Sequence, residues 1–146
     1  MEKKYHKTAT RRGKHSAPAK WLHENGHLVG PVLDYGCGRG DDVDHFEIDG
    51  YDPSGPSYQH LPHRWYRTIL CTYVLNVIPT SYERDEVIHS VKNLLTEDGV
   101  AYFSVRADKS KLNGWTSSGT YQTFVDLDYP IVRRTSGYII YEVKKR

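Results

Sequence analysis

The sequence predicts an α/β domain: a mostly parallel sheet with crossover helices, ended by an antiparallel hairpin. Three observations predict it. Short apolar segments alternate with helix-like ones along most of the chain. A glycine cluster, Gly36, Gly38 and Gly40, directly follows the first apolar segment. Two β-rich stretches, Ile131 to Arg134 and Tyr138 to Val143, flank Thr135-Ser136-Gly137 near the end. Alternation of this kind implies parallel pairing, because a parallel neighbour is reached only through a crossover connection.

The elements follow in order. Ser16 is a helix N-cap, Pro18 sits in the first turn and Gly26 stops a helix expected over roughly 17–25. Pro31 to Asp34 is a short buried strand. Asp41 to about Phe46 is a brief helix whose acidic start suits the helix dipole. Ile48 to Tyr51 is a second strand, stopped by Asp52-Pro53. Residues 53–66 hold Pro53, Gly55, Pro56 and Pro62 and read as loop. Arg67 to Thr72 is a strand, and Val74 to Ile78 a short turn before Pro79. Thr80 and Glu83 form a capping box, and Val87, Ile88, Val91, Leu94 and Leu95 make a helical stripe behind it. Val100 to Val105 is a strand after Gly99. Residues 107–120 read as a polar loop around Trp115, and Phe124 to Leu127 fits either strand or helix. The closing stretches read as a hairpin.

The 146 residues suit a single domain. It divides into a basic arm over 1–15, a core over 16–106 and a loop with the hairpin over 107–146. No run of about 18 apolar residues occurs, so no membrane span is expected. The basic N-terminus lacks the apolar stretch of a secretory signal, and a cytoplasmic protein is expected. Cys37 and Cys71 are expected as reduced thiols. His60 and His63 lack a third ligand in any recognisable metal-site pattern, so no metal is expected. Seven Lys or Arg fall in the first twenty residues, from Lys3 to Lys20, opposed only by Glu2. Such an arm fits a nucleic acid, or serves as a solubilising tail.

Ligands of open α/β sheets bind beyond the carboxyl ends of the strands, where strand order reverses. The Gly36–Gly40 turn is therefore the expected site, since glycine lets a ligand approach the backbone. Its spacing differs from Gly-x-Gly-x-x-Gly. Asp34, Asp41 and Asp42 flank it and would repel a pyrophosphate. They suit a ligand with net positive charge, such as S-adenosylmethionine, which carries a sulfonium, an ammonium and one carboxylate. Asp52 ends the second strand eighteen residues after Asp34, where an acid can accept hydrogen bonds from both ribose hydroxyls.

These residues resemble a known family. Val32-Leu33-Asp34-Tyr35-Gly36-Cys37-Gly38-Arg39-Gly40 resembles motif I of class I methyltransferases. Gly50-Tyr51-Asp52-Pro53-Ser54 resembles the acidic motif ending their second strand. Ile69 to Pro79 and Leu94 to Val105 resemble their fourth- and fifth-strand regions. The resemblance covers about residues 16–106 and implies a compact, Rossmann-like sheet. Between Asp52 and the fourth strand only a loop remains, so the third strand and its helix are expected to be missing or vestigial. The adenine pocket normally draws on that region. His60, Leu61, His63 and Trp65 are candidates for it, Trp65 otherwise reading as a core residue. Thr8-Ala9, Arg11 or Arg12, Ser16, Pro18, Asp34 to Asp42, Gly50 to Pro53 and Tyr73 to Ile78 are also similar to methyltransferases associated with DNA phosphorothioation.

The resemblance implies S-adenosylmethionine as cofactor, held by Asp34, Tyr35, Gly36, Cys37, Gly38, Asp52, Pro53, Cys71, Thr72 and Tyr73. Methyl transfer is a displacement at carbon, so the protein mainly supplies alignment and electrostatics. Tyr73 and Asn76 are the expected acceptor-side, catalytic residues. Tyr73 could instead pack under the following helix, and Asn76 could simply cap a turn. The stretch Thr72-Tyr73-Val74-Leu75 departs from the proline-rich motif of nucleic-acid amine methyltransferases. Arg106, Trp115 and Tyr121 are expected around the acceptor pocket. Three functions stay open: a methyltransferase on nucleic acid or a nucleotide-like acceptor, one on a small molecule or protein, and a cofactor-binding protein without transfer.

Overall fold

The structure, a computed structural model, describes residues 14–108, 113–115 and 119–146. Most of the basic arm, including Lys3, Lys4, Lys7, Arg11 and Arg12, lies outside the described residues, as do Thr8 and Ala9. The elements are α1 (Ala17–Glu24), β1 (Val32–Tyr35), α2 (Asp41–Phe46), β2 (Asp49–Tyr51) and β3 (Tyr66–Thr72). A 3-10 turn (Leu75–Val77), α3 (Ser81–Asn93) and β4 (Leu95–Arg106) follow. Then come β5 (Asn113–Trp115), β6 (Tyr121–Thr123), β7 (Ile131–Arg134) and β8 (Tyr138–Lys144).

Six strands form one sheet in the order β2-β1-β3-β4-β8-β7. The first three pairings are parallel and the β4-β8-β7 part is antiparallel. Residues 52–65 contain no strand, so no strand stands between β2 and β3 in the chain, and β2 forms the sheet edge. β3 is buried almost throughout, as a central parallel strand covered on both faces must be.

The period-two alternation of strands sorts the core into two layers. Leu33, Ile69, Cys71, Ala101, Phe103, Ile139 and Tyr141 pack on the α3 side with Ile88 and Val91. Val32, Leu70, Tyr102 and Ile140 face the other way, under Ala19 and Leu22 of α1. Both helix starts are capped as their sequences predict. The Ser16 hydroxyl accepts from the Ala19 N–H at 3.3 Å, and Thr80 Oγ1 from the Glu83 N–H at 3.2 Å.

Several local expectations are corrected. The α3 stripe ends earlier than its periodicity suggests: Leu95 leaves the helix to begin β4 and pairs with Tyr66, and after a bulge in the register the pairing resumes at Thr68 and Val100. Gly99 lies in that bulge, where a Cβ would lie 3.0 Å from Thr96 O and Tyr66 O. The loop around Trp115 carries a second, two-stranded sheet of β5 and β6. Phe124 to Leu127 is neither strand nor helix, yet Val125 is buried against the α3-side core. Trp65 is not a core residue: it is 70% exposed, because the turn-rich 52–65 loop gives it no layer to enter.

Candidate cofactor and acceptor site

β1 delivers the chain into a left-handed turn. Gly36, Gly38 and Gly40 all have positive φ, at 81°, 59° and 87°. The Gly36 N–H donates to Tyr51 O at 2.7 Å, tying the turn to the end of β2. The Asp52 carboxylate closes it, accepting from the Gly38 N–H at 2.8 Å through Oδ2 and from the Ser54 N–H at 2.9 Å through Oδ1. Two backbone bonds leave a carboxylate with acceptor capacity to spare.

The far wall comes from the end of β3. The Tyr73 N–H extends the ladder to Ser104 O at 2.8 Å, while Tyr73 itself adopts φ 60°. A left-handed conformation is costly for a bulky residue and is held only by its surroundings. Here it brings Val74 against Gly36, so closely that a Cβ on Gly36 would run into Val74 Cγ2. The 3-10 turn then buries Asn76, whose Nδ2 donates to Gln122 Oε1 of β6 at 2.9 Å.

Between these walls lies a cavity of about 780 Å³ at the carboxyl ends of β1, β2 and β3. β1 is flanked by β2 on one side and β3 on the other, so this is the point where strand order reverses. Asp34, Tyr35, Gly36, Cys37, Gly38, Asp52, Pro53, Thr72, Tyr73 and Asn76 all line it. Cys71 does not: it is fully buried one residue before the strand end, with its side chain in the α3-side core. His60, Leu61, His63 and Trp65 are likewise absent from the walls. Arg106 contributes, whereas Trp115 and Tyr121 pack edge-to-face at 5.3 Å outside the lining.

The floor is electronegative. Burial first, and then the Asp34 and Asp52 carboxylates, push both the Cys37 and Cys71 thiols above their ordinary pKa. Tyr35 is pushed up to about 12, chiefly by burial. The Asp34 and Asp52 carboxylates themselves favour a cation in the cavity.

Two features lie beyond the reach of sequence reasoning. Asp42, read as a site acid, spends its fully buried carboxylate on α1 as well as lining the cavity. It accepts from the Ser16 N–H at 2.6 Å and from the Ser16 hydroxyl at 2.7 Å. Gln122 and, from α3, Glu86, Val87 and Ser90 complete the wall. No spacing rule links them to motif positions.

A protein family described as a methyltransferase domain matches residues 5–128. No curated protein matches the chain. A solved structure of DhpI with S-adenosylhomocysteine is similar, with a TM-score of 0.59 at 13% identity, over 86% of this chain and 82% of that one. A structure concerned with converting a disulfide bond into a thioacetal group in echinomycin biosynthesis matches with a TM-score of 0.57 at 17% identity, over 68% of this chain. The chain spans about half of that protein, the match covering 52% of it. The N-methyltransferase NodS from Bradyrhizobium japonicum WM9, complexed with S-adenosyl-L-homocysteine, matches with a TM-score of 0.52 at 11% identity, over 87% of this chain and 83% of that one. At such identities these structures speak for the fold.

Proposed function

We propose that the chain, which belongs to the methyltransferase-domain family, transfers a methyl group from S-adenosylmethionine to an acceptor presented beside Tyr73 and Asn76. The observation that carries this is Asp52, which clasps the glycine turn and lines the cavity at the strand-order reversal.

The residues present fit the cofactor. The cavity volume of about 780 Å³ falls within the ordinary range for ligand sites of this size. The electronegative floor complements a sulfonium and an ammonium. Asp52 has lone pairs left for ribose hydroxyls, with Pro53 and Ser54 bordering it in the loop before β3. Bound there, S-adenosylmethionine supplies an electrophilic methyl on a positively charged sulfur. Gly36 and Gly38 let the ligand approach the backbone, and Thr72 and Tyr73 close the side toward the acceptor.

Two acceptor readings each have an observation behind them. The seven Lys or Arg among the first twenty residues favour a nucleic acid or nucleotide-like acceptor bound through the arm. A small-molecule acceptor is favoured by the cavity's acidic lining, which repels phosphate.

Calorimetric titration with S-adenosylmethionine and S-adenosylhomocysteine, with NAD as control, tests the cofactor. Binding of the first two and not of NAD is expected; binding of neither overturns the reading. Binding without transfer to any acceptor would identify a cofactor-binding protein instead. Activity unchanged by added salt and by removal of residues 1–13 would dismiss the polymer acceptor.

A further inference from the structure

Among the described residues, the cations of the cavity wall are the guanidinium groups of Arg39 and Arg106. Arg106 is half-buried, and its side chain makes no hydrogen bond, ion pair or ring contact among the described residues. Arginines elsewhere are engaged. Arg64, Arg67 and Arg146 pair with carboxylates, Arg84 donates to Ile78 O at 2.6 Å, and Arg133 donates to the Tyr138 hydroxyl at 3.0 Å. A guanidinium carries its N–H donors in a planar fork that matches a carboxylate. Held partly out of water with that fork unused, Arg106 suits an anion brought by a ligand.

The backbone holds Arg106 in place. It pairs with Tyr138 across β4 and β8. On either side, the Tyr73 N–H donates to Ser104 O at 2.8 Å and the Ala107 N–H to Gly137 O at 3.0 Å. The two guanidiniums belong to different parts of the wall. Arg39 stands in the glycine turn after β1, Arg106 ends β4, and β3 runs between those strands. Neighbouring strands lie about 4.8 Å apart, so the ends of β1 and β4 are roughly 10 Å from one another. That width lets two ligands lie side by side across the end of β3. Arg39 is then on the side of the cofactor, which brings one carboxylate of its own, and Arg106 is on the side of the acceptor.

We propose that the acceptor is a small molecule carrying a carboxylate, and that Arg106 binds this carboxylate. The proposal rests on the methyl-transfer reading above. The rest of the lining favours a carboxylate over a phosphate. Asp34, Asp52, Glu83 and Glu86 share the wall, and a phosphate dianion meets roughly twice the repulsion that a carboxylate does. A polymer would bring several phosphates past the same walls. The carboxylate serves as a handle, and the methyl goes to another atom of the acceptor.

The experiment supplies the full chain with methyl-labelled S-adenosylmethionine and three acceptor sets: amino acids and short hydroxy acids, the same compounds as primary carboxamides, and DNA and RNA oligomers. Label is expected in the acids only. Arg106→Gln, which keeps donors but not the charge, should raise the KM for a methylated acid about tenfold or more. Its kcat and its affinity for S-adenosylhomocysteine should change less. Arg106→Lys, which keeps the charge but not the fork, should recover part of the loss. Thermal unfolding confirms that both variants are folded. Label in the carboxamides as readily as in the acids, or in the oligomers alone, would overturn the proposal. So would label that mild base releases as methanol, since the carboxylate would then be the methylated group. An unaltered KM in folded Arg106→Gln would refute it too, as would cofactor binding with no acid methylated. A loss of S-adenosylhomocysteine affinity of about tenfold in that variant would place the cofactor's carboxylate on Arg106 and overturn the assignment. A chain that fails to bind S-adenosylhomocysteine at all would instead sink the methyl-transfer reading itself.

Discussion

Replacing Asp52 by Asn tests the cofactor site with almost no change of shape. The carboxylate accepts one N–H from the glycine turn and one from Ser54. An amide keeps a single oxygen, so one of these bonds is lost and an NH2 group is turned toward an N–H. A hydrogen bond to a charged group contributes about 1.5–3 kcal/mol. If the lost bond is the one to Gly38, the turn is no longer held in its binding shape. At about 1.4 kcal/mol per tenfold, affinity for S-adenosylhomocysteine should fall roughly 10- to 100-fold. Asp52→Ala removes both bonds and should fall further. Calorimetry at fixed temperature reads the affinity, and thermal unfolding confirms that each variant is folded. A folded Asp52→Asn chain that binds within about twofold of the parent would refute the role given to this carboxylate.

Three further predictions follow from single contacts. Asp42→Ala strands the Ser16 N–H and hydroxyl, and should cost about 2–4 kcal/mol in urea unfolding; an unchanged midpoint would show that the clamp contributes nothing. Gly36→Ala meets both a φ of 81° and Val74 Cγ2, and should destabilise by about 2 kcal/mol or more. Adding Val74→Ala should restore part of that, and no restoration would mean that the clash is not the cause. Tyr35 has its pKa raised from 10.0 to about 12, so the folded state holds its proton more tightly than the unfolded chain does. The associated stability is full below about pH 10 and is lost as pH rises toward 12. Urea midpoints measured across that range should fall less steeply in Tyr35→Phe, and equal slopes would contradict it.

Much of this site was legible because its chemistry is local. The capping residues Ser16 and Thr80 announce their helices through bonds to residues three positions on. The glycine turn and Asp52 are each recognisable from a few neighbouring residues, and the topology that joins them follows from strand–helix alternation. The shortened segment before β3 was visible in its prolines and glycines. Errors arose where a local pattern ran past its element. Leu95 continues the α3 stripe in sequence but pairs with Tyr66 in space. Trp65 is a large aromatic, and its expected burial failed where the loop supplies no packing layer.

The order of residues was enough for a parallel sheet closed by a hairpin, a loop in place of a strand over 53–66, the glycine turn and the acid beside it. Periodicity, turn chemistry and capping act over a handful of residues, so the order of residues is enough to read them. Tertiary structure alone decided which side chains meet. It turned Asp42 back onto Ser16, 26 residues earlier, and set Gln122 against Asn76, 46 residues apart. It withdrew Cys71 into the core while leaving Thr72, the next residue, on the cavity wall. Such outcomes depend on strand register and on the close approach of distant segments. Neither is written in the spacing of residues along one element.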